Sequence, residues 1–360
     1  VEVGATTRFE AAMTTALIIL GAGMGTRMNS ALPKVLHQIA GAPMVVHAMK
    51  SGGALDPAHT VIVAGHGADR VEAAAKAYDP DVTVAIQSEQ LGTAHAVCQA
   101  RDALAGFDGD ALVLYGDTPF IRAETLAAMT AARLTHDIVV LGFEAADPGL
   151  YGRLILKDDQ LDRIVEYKEA TDEERSEKLC NSGVVAANAA TLFDLIDAVG
   201  NDNAAGEYYL TDIIGIARAR GLSATVVRCA EAETLGINSR LELAKAEALF
   251  QANARQMAQE DGITLVAPET VFFAHDTVVG RDTVIEQNVV FGPDVTIESG
   301  TTIRAFSHLE GCHVSRGSVV GPYARLRPGA ELAENVKVGN FVEIKNAQIA
   351  AGAKVNHLSY

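Results

Sequence analysis

The stretch LGAGMGTRMNSALPKVL at residues 20–36 directly follows the apolar run TALII at residues 15–19. A strand feeding a glycine-rich turn brings backbone N–H groups close to a phosphate, because glycine has no Cβ to hold a bulky anion away. The dinucleotide fingerprint fails here. Its third glycine is replaced by Thr26, and no acidic residue stands at GAPMVVH, where its ribose-binding carboxylate belongs. The Walker loop also fails, since Gly25-Thr26-Arg27 does not close it. What remains is a flexible loop with Arg27, then Lys34 behind the stiffening Pro33, two cations able to meet one anion. The competing reading is a plain strand-to-helix turn with a solvated Arg and Lys. Further on, ALVLYGD ends in Asp117. One carboxylate together with substrate phosphates is the usual way Mg²⁺ is held, although an Asp at such a turn also caps the following helix.

The whole chain bounds these possibilities. Its 360 residues are 49% hydrophobic with 32 Gly and only 10 Pro, which describes folded material of two-domain size. With 29 Lys and Arg against 46 Asp and Glu, the net charge of −17 argues against a nucleic-acid or anionic-membrane surface. Any anion site must therefore be built from a few local cations. Cys98, Cys180, Cys229 and Cys312 are far apart with no C-x-x-C, suggesting neither zinc nor disulfides and fitting a reducing cytoplasm. The apolar runs are too short for membrane insertion, and Met13, just before the first strand, is the expected start.

The elements that must position these residues come in two grammars. Up to about Arg228, short β-rich runs (TALIIL, TVIVAG, VTVAIQ, ALVLYGD, DIVVLGF) alternate with helical stretches. That alternation predicts an α/β, Rossmann-like domain with a mostly parallel sheet and ligands at the carboxyl ends of its strands. A linker helix is expected over residues 239–262, ending at Gly262. Beyond it, every sixth residue is apolar: Val279, Ile285, Phe291, Ile297, Ile303 and Leu309. After one five-residue step the series resumes as Val314, Val320, Leu326, Leu332, Val338 and Ile344. Gly with Asn or Asp recurs between them (VVGRD, VFGPD, KVGNF), as the turns of a left-handed parallel β-helix of hexapeptide repeats require. The expected domains are thus 13–238, the helix 239–262, and a β-helix over 263–360.

LGAGMGTRM with PKVL, QSEQLGTAHA, LYGD, YGR, IVEYKEA, NSGV, GEYYLTDII and GINSR stand in the order found in one enzyme family. The chain resembles the bifunctional N-acetylglucosamine-1-phosphate uridyltransferase / glucosamine-1-phosphate acetyltransferases. Its second half, with ARLRPGAEL, VGNFVEIKNA and KVNHLSY, is similar to their acetyltransferase barrel. The family loop more often reads L-A-A-G; Gly21 replaces its first alanine, with little effect expected.

The resemblance implies that Leu20, Gly21, Ala22 and Gly23 line a uridine site, with Gln87, Gly92 and Thr93 on the uracil. It implies that Tyr115, Gly116, Gly152, Glu166 and Asn181 hold ribose and the N-acetylated sugar. Arg27 and Lys34 would clamp the phosphates, and Asp117 with Asn238 would bind Mg²⁺. In the barrel His357 would be the catalytic base, with Arg327, Lys345 and Tyr360 on the sugar phosphate. The implied first reaction joins UTP and N-acetylglucosamine-1-phosphate into UDP-N-acetylglucosamine and pyrophosphate, a precursor for peptidoglycan and lipopolysaccharide. The second acetylates glucosamine-1-phosphate with acetyl-CoA. A homotrimer packed through the β-helices is implied too. Because the family barrel has further coils carrying much of the acetyl-CoA site, acetylation by these 360 residues is expected to be impaired and the last coil to fray. Two rival readings are a different sugar-1-phosphate nucleotidyltransferase with a regulatory β-helix, and a non-catalytic scaffold. The first would lack the His357, Arg327 and Lys345 set. The second is opposed by intact Arg27, Lys34, Asp117 and Asn238.

Overall fold

The computed structural model describes residues 14–203 and 205–360, so Met13 lies outside the described residues. The chain divides into two compact units: one runs up to His37 and resumes over Met44–Ser239, the other comprises Gln38–Pro43 and Arg240–Tyr360.

In chain order the elements up to the end of the first unit are β1 (Thr15–Gly21), β2 (Gln38–Ile39), β3 (Ala42–Pro43), α1 (Met44–Gly53), β4 (His59–Ala64), α2 (Ala68–Tyr78) and β5 (Thr83–Ile86). Then follow α3 (Thr93–Cys98), β6 (Asp110–Tyr115), α4 (Ala123–Arg133), β7 (Ile138–Glu144), β8 (Arg153–Lys157) and β9 (Gln160–Val165). The last are α5 (Asp172–Arg175), β10 (Leu179–Asn188), α6 (Ala189–Ile196), α7 (Asp212–Ala219) and β11 (Ala224–Cys229). The sheet of the first unit runs β11-β7-β10-β6-β1-β4-β5, with β8 and β9 as a side hairpin on β10. β6, β1, β4 and β5 are parallel neighbours, and β10 alone runs antiparallel within that path, against both β6 and β7. All seven residues of β1 are buried, as a central parallel strand covered on both faces requires.

The second unit begins with the β2–β3 hairpin, packed on α8 (Arg240–Glu260): Ala40 N–H donates to Glu247 Oε2 at 2.7 Å. The helix expected to link two domains therefore belongs to one of them. Gln251, 2% exposed, ties it to the first coil by bonds of 2.7 and 2.9 Å to the Phe273 backbone. Gly262, at φ 87°, closes the helix in the left-handed conformation a glycine adopts freely.

Three parallel sheets of two- and three-residue strands then wind as a three-sided β-helix. Of the twelve repeat positions, eleven are at most 5% exposed and Val279 is partly buried. The five-residue step shows in the ladder, where Ile297 pairs with Val314. A second such step follows Ile344, because Leu332 pairs with Ile349. Corners are turned by residues at positive φ, including Asp282, Asn288, Asp294 and Asn335, the side chains that tolerate it best. Phe306, Tyr323 and Phe341 occupy equivalent corners and stack at 4.9 and 5.2 Å.

Candidate functional site

A cleft of about 350 Å³ opens at the carboxyl ends of β1, β5 and β6. Leu20, Gly21, Ala22 and Gly23 form one wall, and Lys34, Gln87, Gly92, Thr93, Tyr115 and Asp117 complete most of the lining. Ten positions read from the sequence thus meet in one cavity, at the strand ends where an open α/β sheet gathers ligands.

The loop after β1 brings Lys34 in by folding tightly on itself. Gly25 stands at φ 59°, and a Cβ there would lie 2.6 Å from the Lys34 Cβ. Lys34 Nζ then donates to Asp117 Oδ2 and, at 2.9 Å, to Asn238 Oδ1. Asn238 is brought there by the backbone, Ile237 N–H donating 3.0 Å to the Asp117 carbonyl. Arg27 lies exposed on the same loop and is not part of the lining.

The opposite wall depends on a close backbone approach. Tyr208 N–H donates 2.8 Å to the Leu91 carbonyl, and Ala94 N–H donates 3.0 Å to that of Tyr208. A Cβ on Gly92, at φ 115°, would sit 2.4 Å from the Tyr208 carbonyl oxygen, so only glycine fits. Thr93 Oγ1 accepts 2.9 Å from Leu210 N–H. Gln90, Glu207 and Val35 also line the cleft, and Gln90 Nε2 holds the Ala22 carbonyl at 2.7 Å. The sequence reading assigned none of these three a role, although Gln90 and Glu207 stand inside QSEQLGTAHA and GEYYLTDII.

Tyr115 connects the cleft to a smaller recess lined in part by Asn181, Gly183 and Thr211. Burial, then the Asp117 and Glu166 carboxylates, hold the Tyr115 phenol well above its ordinary value. Burial also raises Glu166 above 4.5, opposed by a 3.2 Å bond from Thr211 Oγ1. Gly152 leaves space before that carboxylate: a Cβ there would stand 3.6 Å from both of its oxygens. Asn181 N–H donates 2.9 Å to the Gly152 carbonyl, joining two predicted sugar contacts directly. Arg153, 2% exposed, fixes the adjoining segment by donating to the Pro148, Gly149, Tyr151 and Arg175 carbonyls.

In the β-helix, Arg327 and Lys345 each follow a strand of the same sheet, Arg325–Leu326 and Glu343–Ile344. Arg327 Nη1 donates 2.7 Å to Glu343 Oε1, which holds that carboxyl below its usual range. Arg327 Nε is buried with no partner among the described residues. Ser359, between His357 and Tyr360, accepts 2.9 Å from Glu343 N–H, so the last segment continues this face.

Two family models match: the MobA-like NTP transferase domain over residues 17–181 and the bacterial transferase hexapeptide over residues 276–311. The bifunctional protein GlmU of Roseobacter denitrificans is 68% identical over 348 residues, covering 97% of this chain and 77% of that protein. That of Ruegeria pomeroyi is 69% identical over 335 residues, covering 93% and 74%. The chain belongs to the GlmU family. It is accordingly a bifunctional enzyme, with a nucleotidyltransferase domain and a hexapeptide-repeat domain of the acetyltransferase type. Solved structures extend the fold likeness beyond GlmU. The inositol-1-phosphate CTP transferase from T. maritima superposes with a TM-score of 0.54 at 18% identity, covering 67% of this chain and 96% of that one. A UDP-glucose pyrophosphorylase complexed with UDP-glucose gives 0.54 at 17%, covering 67% and 100%.

Asp117 Oδ2 and Asn238 Oδ1 converge on the Lys34 ammonium, which stands where a cation is favoured. Two oxygens and no sulfur or imidazole suit a hard divalent ion. Among the described residues no group of three His, Cys, Asp or Glu could hold a metal. A site completed by substrate phosphates has no need of one. Among the same residues no helix is long and apolar enough to cross a membrane.

Proposed function

We propose that the first unit transfers UMP from UTP to N-acetylglucosamine-1-phosphate, releasing pyrophosphate. The observation that carries this reading is that Lys34 and Asp117, which converge with Asn238, line the same cleft as Gln87 and Gly92. The glycine loop lets the triphosphate approach the backbone, and Lys34 turns from Asp117 to a phosphate oxygen, adding a charge-assisted hydrogen bond. Arg27, exposed on that loop, is free to meet the outer phosphates. Asp117 and Asn238 are the proposed Mg²⁺ ligands, and the ion when bound neutralises negative charge on the phosphates. Tyr115, Gly116, Gly152, Glu166 and Asn181 place the sugar phosphate so that its anionic oxygen reaches the α-phosphorus in line. That oxygen is already charged near neutral pH, so no general base is required.

For the second unit we propose a glucosamine-1-phosphate site built for acetyl transfer from acetyl-CoA, a reaction expected to be impaired in these 360 residues. Arg327, with its unpartnered Nε, and Lys345 bind the phosphate, Tyr360 contacts the sugar, and His357 takes the amine proton. A homotrimer packed through the flat β-helix faces and a cytoplasmic location complete the proposal. The deciding experiment is pyrophosphate release from UTP with N-acetylglucosamine-1-phosphate, glucose-1-phosphate and mannose-1-phosphate. The N-acetylated sugar is expected to be turned over far faster; equal rates, or preference for another sugar, would overturn the assignment. CoA release with glucosamine-1-phosphate tests the second reaction: weak release by this chain is expected, and robust release would overturn the expected impairment.

A further inference from the structure

The side chain that the resemblance places on the uracil is itself held by one outside the cleft. Gln87, 5% exposed, follows β5 and lines the cavity; His95, on α3, does not. Gln87 Nε2 lies 3.3 Å from the Gly92 carbonyl oxygen and 3.1 Å from His95 Nδ1. A carbonyl can only accept, so the nitrogen end of the amide faces Gly92, and its second N–H reaches Nδ1. His95 Nδ1 must then be the acceptor nitrogen of a neutral ring, with the proton on Nε2.

Gln99, one helical turn on, competes for the same ring. Its Nε2 lies 3.2 Å from His95 Nε2 and 2.9 Å from the His95 carbonyl. A neutral imidazole has a single acceptor nitrogen, so two amide NH₂ groups cannot both donate to it. Reversing Gln87 would press its oxygen against the Gly92 carbonyl in a buried place. Reversing Gln99 gives its oxygen to Nε2–H but sets it against the His95 carbonyl at 2.9 Å, a repulsion that this half-buried side chain, unlike buried Gln87, relieves by turning toward water. Gln99 is therefore the one that yields.

We propose that His95 is a positioning residue for base selection: by accepting from Gln87 it holds the amide oxygen of Gln87 toward the nucleotide. An acceptor in that place pairs with the N3–H of uracil and opposes the N3 lone pair of cytosine. The inference rests on the proposed uridylyl transfer and on Gln87 standing on the uracil, as the family resemblance implies.

The test is kcat/KM for UTP and CTP, each with N-acetylglucosamine-1-phosphate and Mg²⁺, in the full chain and four variants. His95→Leu removes the acceptor, and the UTP/CTP ratio is expected to fall about 10-fold, the effect of one buried hydrogen bond made or opposed. His95→Asn puts Oδ1 where Nδ1 stood and is expected to keep the ratio within about 3-fold of the parent. Gln87→Ala should lower the ratio by itself. Should His95→Leu not fold, His95→Ala reads the same quantity. Equal losses for both nucleotides in the His95 variants, with a collapsed ratio in Gln87→Ala, would overturn the role of His95 and leave Gln87 standing. An unchanged ratio in Gln87→Ala would instead refute Gln87 as the base reader. Failure of His95→Asn to restore what His95→Leu loses would also overturn the proposal.

Discussion

In the β-helix a buried residue finds its partner one coil away, as Ile285 finds Ile303; in the nucleotidyltransferase unit Lys34 meets Asp117 and Asn238 from 83 and 204 positions away. The first arrangement repeats one solution to apolar burial, and each coil contacts chiefly its neighbours. The second is assembled once, from strand ends and loops that a shared sheet brings together. A repeat therefore concentrates its sensitivity in packing, and a converged site concentrates it in a few polar atoms.

Removing core from a coil should give the largest effect. Ile303 is fully buried, and Ile303→Ala is expected to destabilise the β-helix by about 2 to 5 kcal/mol, read by denaturant unfolding. Uridylyl kinetics measured below the transition should change little, and a parallel loss of turnover would blur the contrast between the units. Asp117→Ala reverses the pattern. Turnover should fall at least ~100-fold, about 2.7 kcal/mol of transition-state stabilisation, while thermal unfolding moves little. Gly92→Ala tests the backbone approach. A Cβ facing the Tyr208 carbonyl at positive φ should cost about 1 to 3 kcal/mol and raise KM for UTP.

Glu166→Gln separates stability from function. Burial raises the Glu166 carboxyl above 4.5, so ionising it weakens the fold as pH climbs from 4.5 through the raised value. The glutamine variant should melt higher than the parent at pH 7, lose that advantage below 4.5, and turn over more slowly. Gly21→Ala should have the smallest effect. A Cβ there would stand 3.5 Å from the Val63 carbonyl and 3.6 Å from Val35, ordinary contact distances, so UTP kinetics should hold. Stability should rise by about 0.4 to 1 kcal/mol through a less flexible unfolded chain.

The same contrast explains what was legible. Hexapeptide periodicity marked the inward residues because each lies on a repeating backbone, and local loop motifs marked Lys34, Gln87, Gly92 and Asp117 because each needs a particular residue type. The second five-residue step, at Ile349, is not legible as a period because only one short coil follows it. That residues 38–43 join the β-helix unit has no local signal. Gln90 and Thr211 act through tertiary contacts, Gln90 on the Ala22 carbonyl and Thr211 on Glu166, and Glu207 reaches the cleft only through the fold, none of which spacing encodes. The shared Lys34, Asp117 and Asn238 contact became visible only with the sheet formed.

That contact is also where the account is most exposed. In a Mg²⁺ titration of pyrophosphate release from UTP and N-acetylglucosamine-1-phosphate, Asn238→Ala should raise the half-saturating Mg²⁺ concentration at least about 10-fold, as loss of a ligand commonly does. Its thermal unfolding should match the parent. Identical Mg²⁺ curves for parent and variant would contradict the assignment of Asp117 and Asn238 as one cation site.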